Sequence, residues 1–187
     1  MKTYGIFIGS FNPITNAHIN ICNQILKEKL VKKIIIIPVT NKKDNLININ
    51  ERINMIHMIT SKNIIIDDLC KNQNNFNYKT LDIIKEKYKD ISIIIGSDIL
   101  INIKDFENTE HILKNFNFIV IPRSNINNNE IINKNYKNYK DRFIILNYKS
   151  NISSTLVRNN IKNNKSNNNY LNSKIEKYII SNNLYKN

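Results

Sequence analysis

The ten residues Gly9-Ser10-Phe11-Asn12-Pro13-Ile14-Thr15-Asn16-Ala17-His18 hold the densest concentration of chemically useful groups in the chain. Two of its three glycines and one of its three prolines fall between Gly5 and Pro13. A glycine at the end of a strand lets backbone N–H groups approach a phosphate, and the positive end of the following helix points at the same place. His18 at the mouth of that helix, with the Thr15 hydroxyl one turn earlier, would supply two donors to an α-phosphate and its bridging oxygen. The same spacing also describes an ordinary strand-to-helix turn capped by a histidine. A second segment, Ile152-Ser153-Ser154-Thr155-Leu156-Val157-Arg158, opens a helix with hydroxyl and backbone donors. Arg158 stands one turn in, where its guanidinium would fork onto phosphate oxygens. By itself that segment reads equally as a capped surface helix with a solvated arginine.

These segments need a scaffold, and the apolar pattern supplies one. Thr3 to Ile8 is β-prone and ends at a turn that cannot continue it. From His18 the apolar residues Ile19, Cys22, Ile25, Leu26 and Leu30 recur at three and four, the stripe of a helix packed on a sheet. Lys33 to Pro38 reads as a second, fully buried strand. The alternation continues with a helix around Asn50 to Thr60, a strand at Asn63 to Asp67 and a helix near Thr80 to Tyr88. A strand at Ile91 to Ile95, helical pieces between Ile99 and Lys114, and strands at Phe116 to Ile121 and Arg142 to Leu146 complete it. The class is α/β, doubly wound, with a mainly parallel sheet covered on both faces. In such sheets ligands bind beyond the carboxyl ends of the strands, where strand order reverses. Ser124 to Lys140 and Lys162 to Asn169 are rich in Asn and Lys and read as loops. Leu171 to Leu184 regains helical periodicity and is expected to dock back on a single domain spanning residues 1–187.

With 28 Lys and Arg against 15 Asp and Glu, the formal net charge is +13. The lysines are scattered among asparagines and isoleucines from Lys2 to Lys186, so the excess reads as compositional drift rather than a nucleic-acid patch, although it would still steer anionic nucleotides inward. No zinc-finger, RNA-recognition or helix-turn-helix pattern is present, and no specific nucleic-acid partner is expected. Cys22 and Cys70 are too few and too far apart for a disulfide framework or a zinc site, and Cys22 reads as helix packing. The apolar runs are far shorter than the roughly 20 residues a membrane span needs, and no leader pattern is seen. The expected setting is intracellular and cytoplasmic, with the nucleus left open.

The first segment resembles the Gly-x-Phe-x-Pro-x-His/Thr-x-x-His motif of the nucleotidylyltransferase superfamily, and the second its Ile-Ser-Ser-Thr-x-x-Arg motif. The resemblance implies a Rossmann-like nucleotidylyltransferase fold, with Gly9, Ser10, Phe11, His18, Ile152, Ser153, Ser154 and Arg158 around ATP. Within the superfamily, Gly96-Ser97-Asp98 after the fourth strand is similar to nicotinate/nicotinamide mononucleotide adenylyltransferases. So are Phe76 to Leu81, Pro122-Arg123 and the closing Tyr178-Ile-Ile-Ser-Asn-Asn-Leu-Tyr185. By that likeness Gly96 and Asp98 join the ATP site, Asp98 on a ribose hydroxyl or a metal-bound water. Asn77, Thr80, Phe106 and Arg123 would face the pyridine nucleotide. Phe106 falls where the family usually carries a stacking tryptophan, and core packing is the competing account of it. Asn77 replaces a threonine and, able to donate or accept, does not choose between nicotinate and nicotinamide. Lys42 or Lys43 would meet phosphate, Arg52 would hold the loop before it, and His57 and His111 read as structural.

The activity implied is attack by the phosphate of nicotinate or nicotinamide mononucleotide on the α-phosphorus of ATP, giving deamido-NAD or NAD and pyrophosphate. His18, Thr15, Arg158 and Lys42 would carry the catalysis. The nucleophile is already anionic at neutral pH, so no general base is required, and Mg²⁺ would arrive with the ATP rather than occupy a protein metal site. A homo-oligomer is compatible with this reading. Phosphopantetheine adenylyltransferase, the alternative, shares Thr15, His18 and the second motif but leaves Gly96-Ser97-Asp98, Pro122-Arg123 and the tail unexplained. An idle nucleotide sensor would be expected to lack His18 or Arg158.

Overall fold

In the computed structural model, which describes residues 2–40, 46–71, 77–123 and 125–186, six strands form one parallel sheet. β1 (Lys2–Gly9) is followed by α1 (Asn16–Lys27), β2 (Val31–Pro38), α2 (Ile49–His57), β3 (Ile64–Ile66), α3 (Tyr78–Tyr88) and β4 (Ile91–Gly96). Then come α4 (Ser97–Asn102), a 3₁₀ turn (Ile103–Asp105), α5 (Thr109–Asn115), β5 (Asn117–Ile121), α6 (Asn128–Asn135), a second 3₁₀ stretch (Lys137–Arg142) and β6 (Phe143–Ile145). Helices α7 (Ser154–Lys162) and α8 (Ser173–Ser181) follow.

The strands form where β-branched runs can be buried on both faces. Ile34, Ile35, Ile36 and Ile37 are all fully buried. Alternation sends Ile6, Ile35, Ile37, Ile93, Ile95, Phe118 and Val120 into the core on one face, and Phe7, Ile34, Ile36, Ile94 and Ile119 into the core on the other. Helices cover both layers, which parallel strands require. The sheet order is β3-β2-β1-β4-β5-β6. Winding therefore reverses between β1 and β4, and the crevice for a ligand opens at their carboxyl ends.

Two expectations change. Helix α1 begins at Asn16, with Thr15 as its N-cap, so His18 lies inside the first turn rather than at its mouth. Its inner face is Ala17, Ile21, Cys22 and Ile25, with Ile19 only partly buried. The stretch 124–140 is not a loop, because most of it is α6 and the 3₁₀ turn after it. Asn127 caps α6 by accepting from the Glu130 N–H at 3.2 Å, and Ile132 and Tyr136 are buried. The Tyr136 hydroxyl donates to the Leu100 carbonyl at 2.7 Å and accepts from the Lys104 N–H at 3.1 Å, which fastens this helix to α4. Residues 163–169 do form turns, closed by the Asn167 carbonyl accepting from Tyr170 and Leu171. Both cysteines are buried thiols, with Cys22 pushed up to about 12 and Cys70 to about 11 by desolvation. His57 is exposed, and His111 pairs with Asp82 at 2.9 Å between α5 and α3. Among the described residues no helix is long and apolar enough to cross a membrane.

Candidate active site

A cleft of about 1330 Å³ opens at the switch point. Continuing the β1–β4 register, in which Phe7 faces Ile94, places Gly9 beside Gly96 at the ends of the two central strands. A Cβ at either position would press on a side chain of the site. At Gly9 a Cβ would come within 3.2 Å of the Phe11 ring, which folds back over it. At Gly96 it would run into the Asp98 carboxylate.

The loop after β1 is held from behind. Phe11 has φ 46°, a left-handed conformation that costs an aromatic residue on the order of 1–3 kcal/mol. Its surroundings keep it there. The ring is 3% exposed and meets Phe7 and His18 edge-on, with 5.3 Å between centroids in each case. Arg52, 1% exposed, donates to the carbonyls of Ser10 and Val39 and, through Nε, to that of Ile47. The Val39 and Ile47 bonds fit the expected hold on the loop before α2; the bond to Ser10 on the β1 loop goes beyond that expectation. Arg158 donates to the Asn12 carbonyl at 2.7 Å, and the Ser154 hydroxyl to the Pro13 carbonyl at 2.8 Å. With these carbonyls turned to interior donors, the N–H groups of Ser10 and Phe11 have no acceptor among the described residues. Ser10 and Phe11 both line the cleft, and backbone N–H groups without a protein acceptor are the kind of donor an anion can take.

His18 forms the floor beside this loop. Its Nδ1 accepts from the Thr15 N–H at 3.0 Å and lies 2.9 Å from the Thr15 hydroxyl. An acceptor at Nδ1 puts the proton of the neutral ring on Nε2, the remaining donor at the cleft. Part of the ring is accessible, but enclosure by protein and then the nearby charge of Arg123 bring its pKa from 6.5 down to about 4. The imidazole is neutral at pH 7. Thr15 itself is fully buried and does not line the cleft, which moves it from the expected phosphate contact to a place behind His18.

At the far lip, α7 presents its first turn. Ser153 caps it by accepting from the Leu156 N–H at 3.1 Å, and Ile152, Ser153, Ser154, Thr155 and Arg158 all line the cleft. The Ser154 hydroxyl proton is committed to Pro13, so its remaining donor is the backbone N–H at the helix start. Arg158 also donates to the Thr155 hydroxyl at 3.1 Å, and two bonds leave much of its five-donor fork free.

The other half of the cleft belongs to β4 and β5. Ser97, fully buried, donates to the Ile121 carbonyl at 3.2 Å and accepts from the Arg123 N–H at 3.0 Å, pinning the two strand ends together. Arg123 Nε lies 3.2 Å from the Asp98 carboxylate, both side chains being exposed to the cleft. Phe106 is 41% exposed on the same wall, which rules out the core-packing account. Asn77 caps α3, its Oδ1 accepting from Lys79 and Thr80 N–H at 3.1 and 3.3 Å. Thr80, 4% exposed, is turned inward with Leu81 and Ile84 and does not line the cleft, correcting its expected place at the pyridine. Lys42 and Lys43 lie outside the described residues. Sequence reasoning missed Ser97, read only as the middle of a motif, and Asn12, whose side chain is tied to Tyr185.

A parallel sheet in this order, with a glycine-led loop, an imidazole donor and an arginine-bearing helix start around its switch point, defines an α/β nucleotidyltransferase. Residues 6–160 match the cytidylyltransferase-like family. The chain is 32% identical to the nicotinate-nucleotide adenylyltransferase assigned to Endomicrobium trichonymphae, over all of both chains. It is 34% identical to that of Fusobacterium nucleatum, over 93% of this chain and 95% of the relative. Among solved structures, Plasmodium falciparum nicotinic acid mononucleotide adenylyltransferase complexed with NaAD is similar with a TM-score of 0.78 and 26% identity, covering 99% of this chain and 98% of that one. The chain belongs to the nicotinate-nucleotide adenylyltransferase family.

Proposed function

We propose that this protein transfers the adenylyl group of ATP to nicotinate mononucleotide, releasing pyrophosphate and nicotinate adenine dinucleotide. One observation carries the reading: a single cleft joins a phosphate-directed half, built from the β1 loop, His18 and α7, to a half with an exposed aromatic ring and polar groups. A phosphate oxygen of the mononucleotide attacks the α-phosphorus, and the bond to the bridging oxygen of the leaving pyrophosphate breaks. The nucleophile needs no base, so the protein's work is alignment and charge neutralisation. His18 Nε2–H and the loop N–H groups serve the α-phosphate. Arg158 and the start of α7 serve the leaving pyrophosphate, with Lys42 or Lys43 as a mobile point charge. Phe106 stacks on the pyridine, and Arg123 meets the acceptor.

The choice of nicotinate is supported by Asn77. Its oxygen is spent on capping α3, which leaves its NH₂ as a donor, and a charged carboxylate is a stronger acceptor for it than the neutral oxygen of a carboxamide. Among the described residues no three His, Cys, Asp or Glu side chains gather into a cation site. A divalent cation, Mg²⁺ in this proposal, would arrive with the triphosphate and be held mainly by its oxygens and by water. The test is incubation with ATP, Mg²⁺ and, separately, nicotinate mononucleotide, nicotinamide mononucleotide or phosphopantetheine, with products read by mass. Dinucleotide from nicotinate mononucleotide is the expected result; dephospho-coenzyme A alone would overturn it.

A further inference from the structure

The side chain of Asn12 joins parts of the chain that are far apart in sequence. Its Oδ1 accepts from the Tyr185 hydroxyl at 3.0 Å in a buried bond, and from the Ile47 N–H at 3.4 Å. The main-chain carbonyl of the same residue takes the 2.7 Å bond from Arg158. Asn12 is thus the knot between the β1 loop, the segment entering α2, α7 and the segment after α8. Tyr185 is 7% exposed, packs in the core beneath the loop, and does not line the cleft. Burial pushes its phenol well above the usual range, outweighing the opposing pull of the nearby Arg158 and Arg52, so it stays a neutral donor.

The loop depends on such tethers, because Phe11 holds a left-handed backbone that free chain would abandon. Arg158 and Ser154 face the cleft as well as the loop, so bound nucleotide competes for their geometry. Tyr185 answers to the loop alone. We propose that Tyr185 is a positioning residue for adenylyl transfer: acting through Asn12, its hydroxyl holds the β1 loop and the Arg158 guanidinium in the arrangement that meets the phosphates of ATP. This rests on the adenylyl-transfer reading above.

The experiment is Tyr185→Phe, which keeps the ring and deletes the donor, measured beside wild type and in an Asn12→Ala background. Wild-type turnover with nicotinate mononucleotide is recorded first, so a failure of the functional reading shows there. Affinity for a non-hydrolysable ATP analogue, by calorimetry, tests the tether even in that event. Loss of one neutral hydrogen bond predicts a fall in kcat and in analogue affinity of about three- to tenfold. KM for the mononucleotide should stay within about twofold, and Tyr185→Phe should cost nothing more once Asn12 is Ala, since coupled residues are not additive. The idea is overturned if Tyr185→Phe binds the analogue and turns over like wild type. It is equally overturned if the losses are as large in the Asn12→Ala background. If Asn12→Ala does not fold, a Tyr185→Phe enzyme whose mononucleotide KM worsens as much as its kcat also overturns it.

Discussion

Replacing His18 with Asn should nearly abolish turnover while leaving the fold in place. The two ring nitrogens have separate tasks. Nδ1 accepts from the Thr15 N–H at 3.0 Å and closes the first turn of α1, whereas Nε2–H is the donor left for the cleft. An asparagine oxygen can occupy the Nδ1 position and keep the Thr15 N–H satisfied, with nothing where Nε2 stood. The missing donor should cost on the order of 10²–10³ in kcat, as loss of a single oxyanion donor does. His18→Ala should lose the same rate and also destabilise the protein by about 1–3 kcal/mol, because it leaves the Thr15 N–H unsatisfied. Linkage adds a second readout. With a folded pKa near 4 against 6.5, the unfolded chain binds the extra proton between those values. Wild-type stability should therefore fall as pH drops from about 6.5 to 4, by at most about 3 kcal/mol, with this contribution intact above 6.5. His18→Asn should flatten that part of the profile. Steady-state kinetics at pH 7.5 and urea unfolding across pH 4–7 supply both measurements. A His18→Asn enzyme within about threefold of wild type would refute the assignment and leave His18 as a helix cap.

Phe106→Ala should raise the mononucleotide KM between about fivefold and a hundredfold while leaving the ATP KM in place, since aromatic stacking on a base is worth about 1–3 kcal/mol. With the ring 41% exposed, the melting temperature should move little; a large drop in melting temperature with unchanged mononucleotide KM would count against stacking. Gly96→Ala should melt within a few degrees of wild type, because the Asp98 carboxylate can swing aside. It should nonetheless weaken substrate binding at least about fivefold as the Asp98–Arg123 pair is displaced. Unchanged KM values for both substrates would show that the pair is idle.

The strands were readable because they are buried on both sides. Ile34 to Ile37 and Ile93 to Ile95 are apolar throughout and buried, and that leaves a contiguous trace. The helix over 128–135 was hidden by its composition. Asparagine is a weak helix former, and here few buried side chains, chiefly Ile132 with Tyr136 just beyond, together with the Asn127 cap, hold a segment otherwise indistinguishable from loop. Thr15 and Thr80 failed for a related reason. Motif spacing names residues, but helix phase decides where they point. Thr80 shares the inner face of α3 with Leu81 and Ile84, a direction their apolar spacing already carried.

The site divides along the same line. Its contact surface was legible because two contiguous motifs supply it, and because glycine is rare enough here that two of the three mark the ends of the central strands. Its frame was not. Arg52 reaches Ser10 across 42 positions, Arg158 reaches Asn12 across 146, and Tyr185 reaches Asn12 across 173. A buried carbonyl accepts from whatever donor the fold delivers, and neither partner need be periodic or apolar, so such bonds leave no pattern in one sequence. Yet they are what fastens the loop in which Phe11 keeps its left-handed backbone. The β1 loop is contiguous in the chain, and the side chains that tether it come from α2, α7 and the segment after α8.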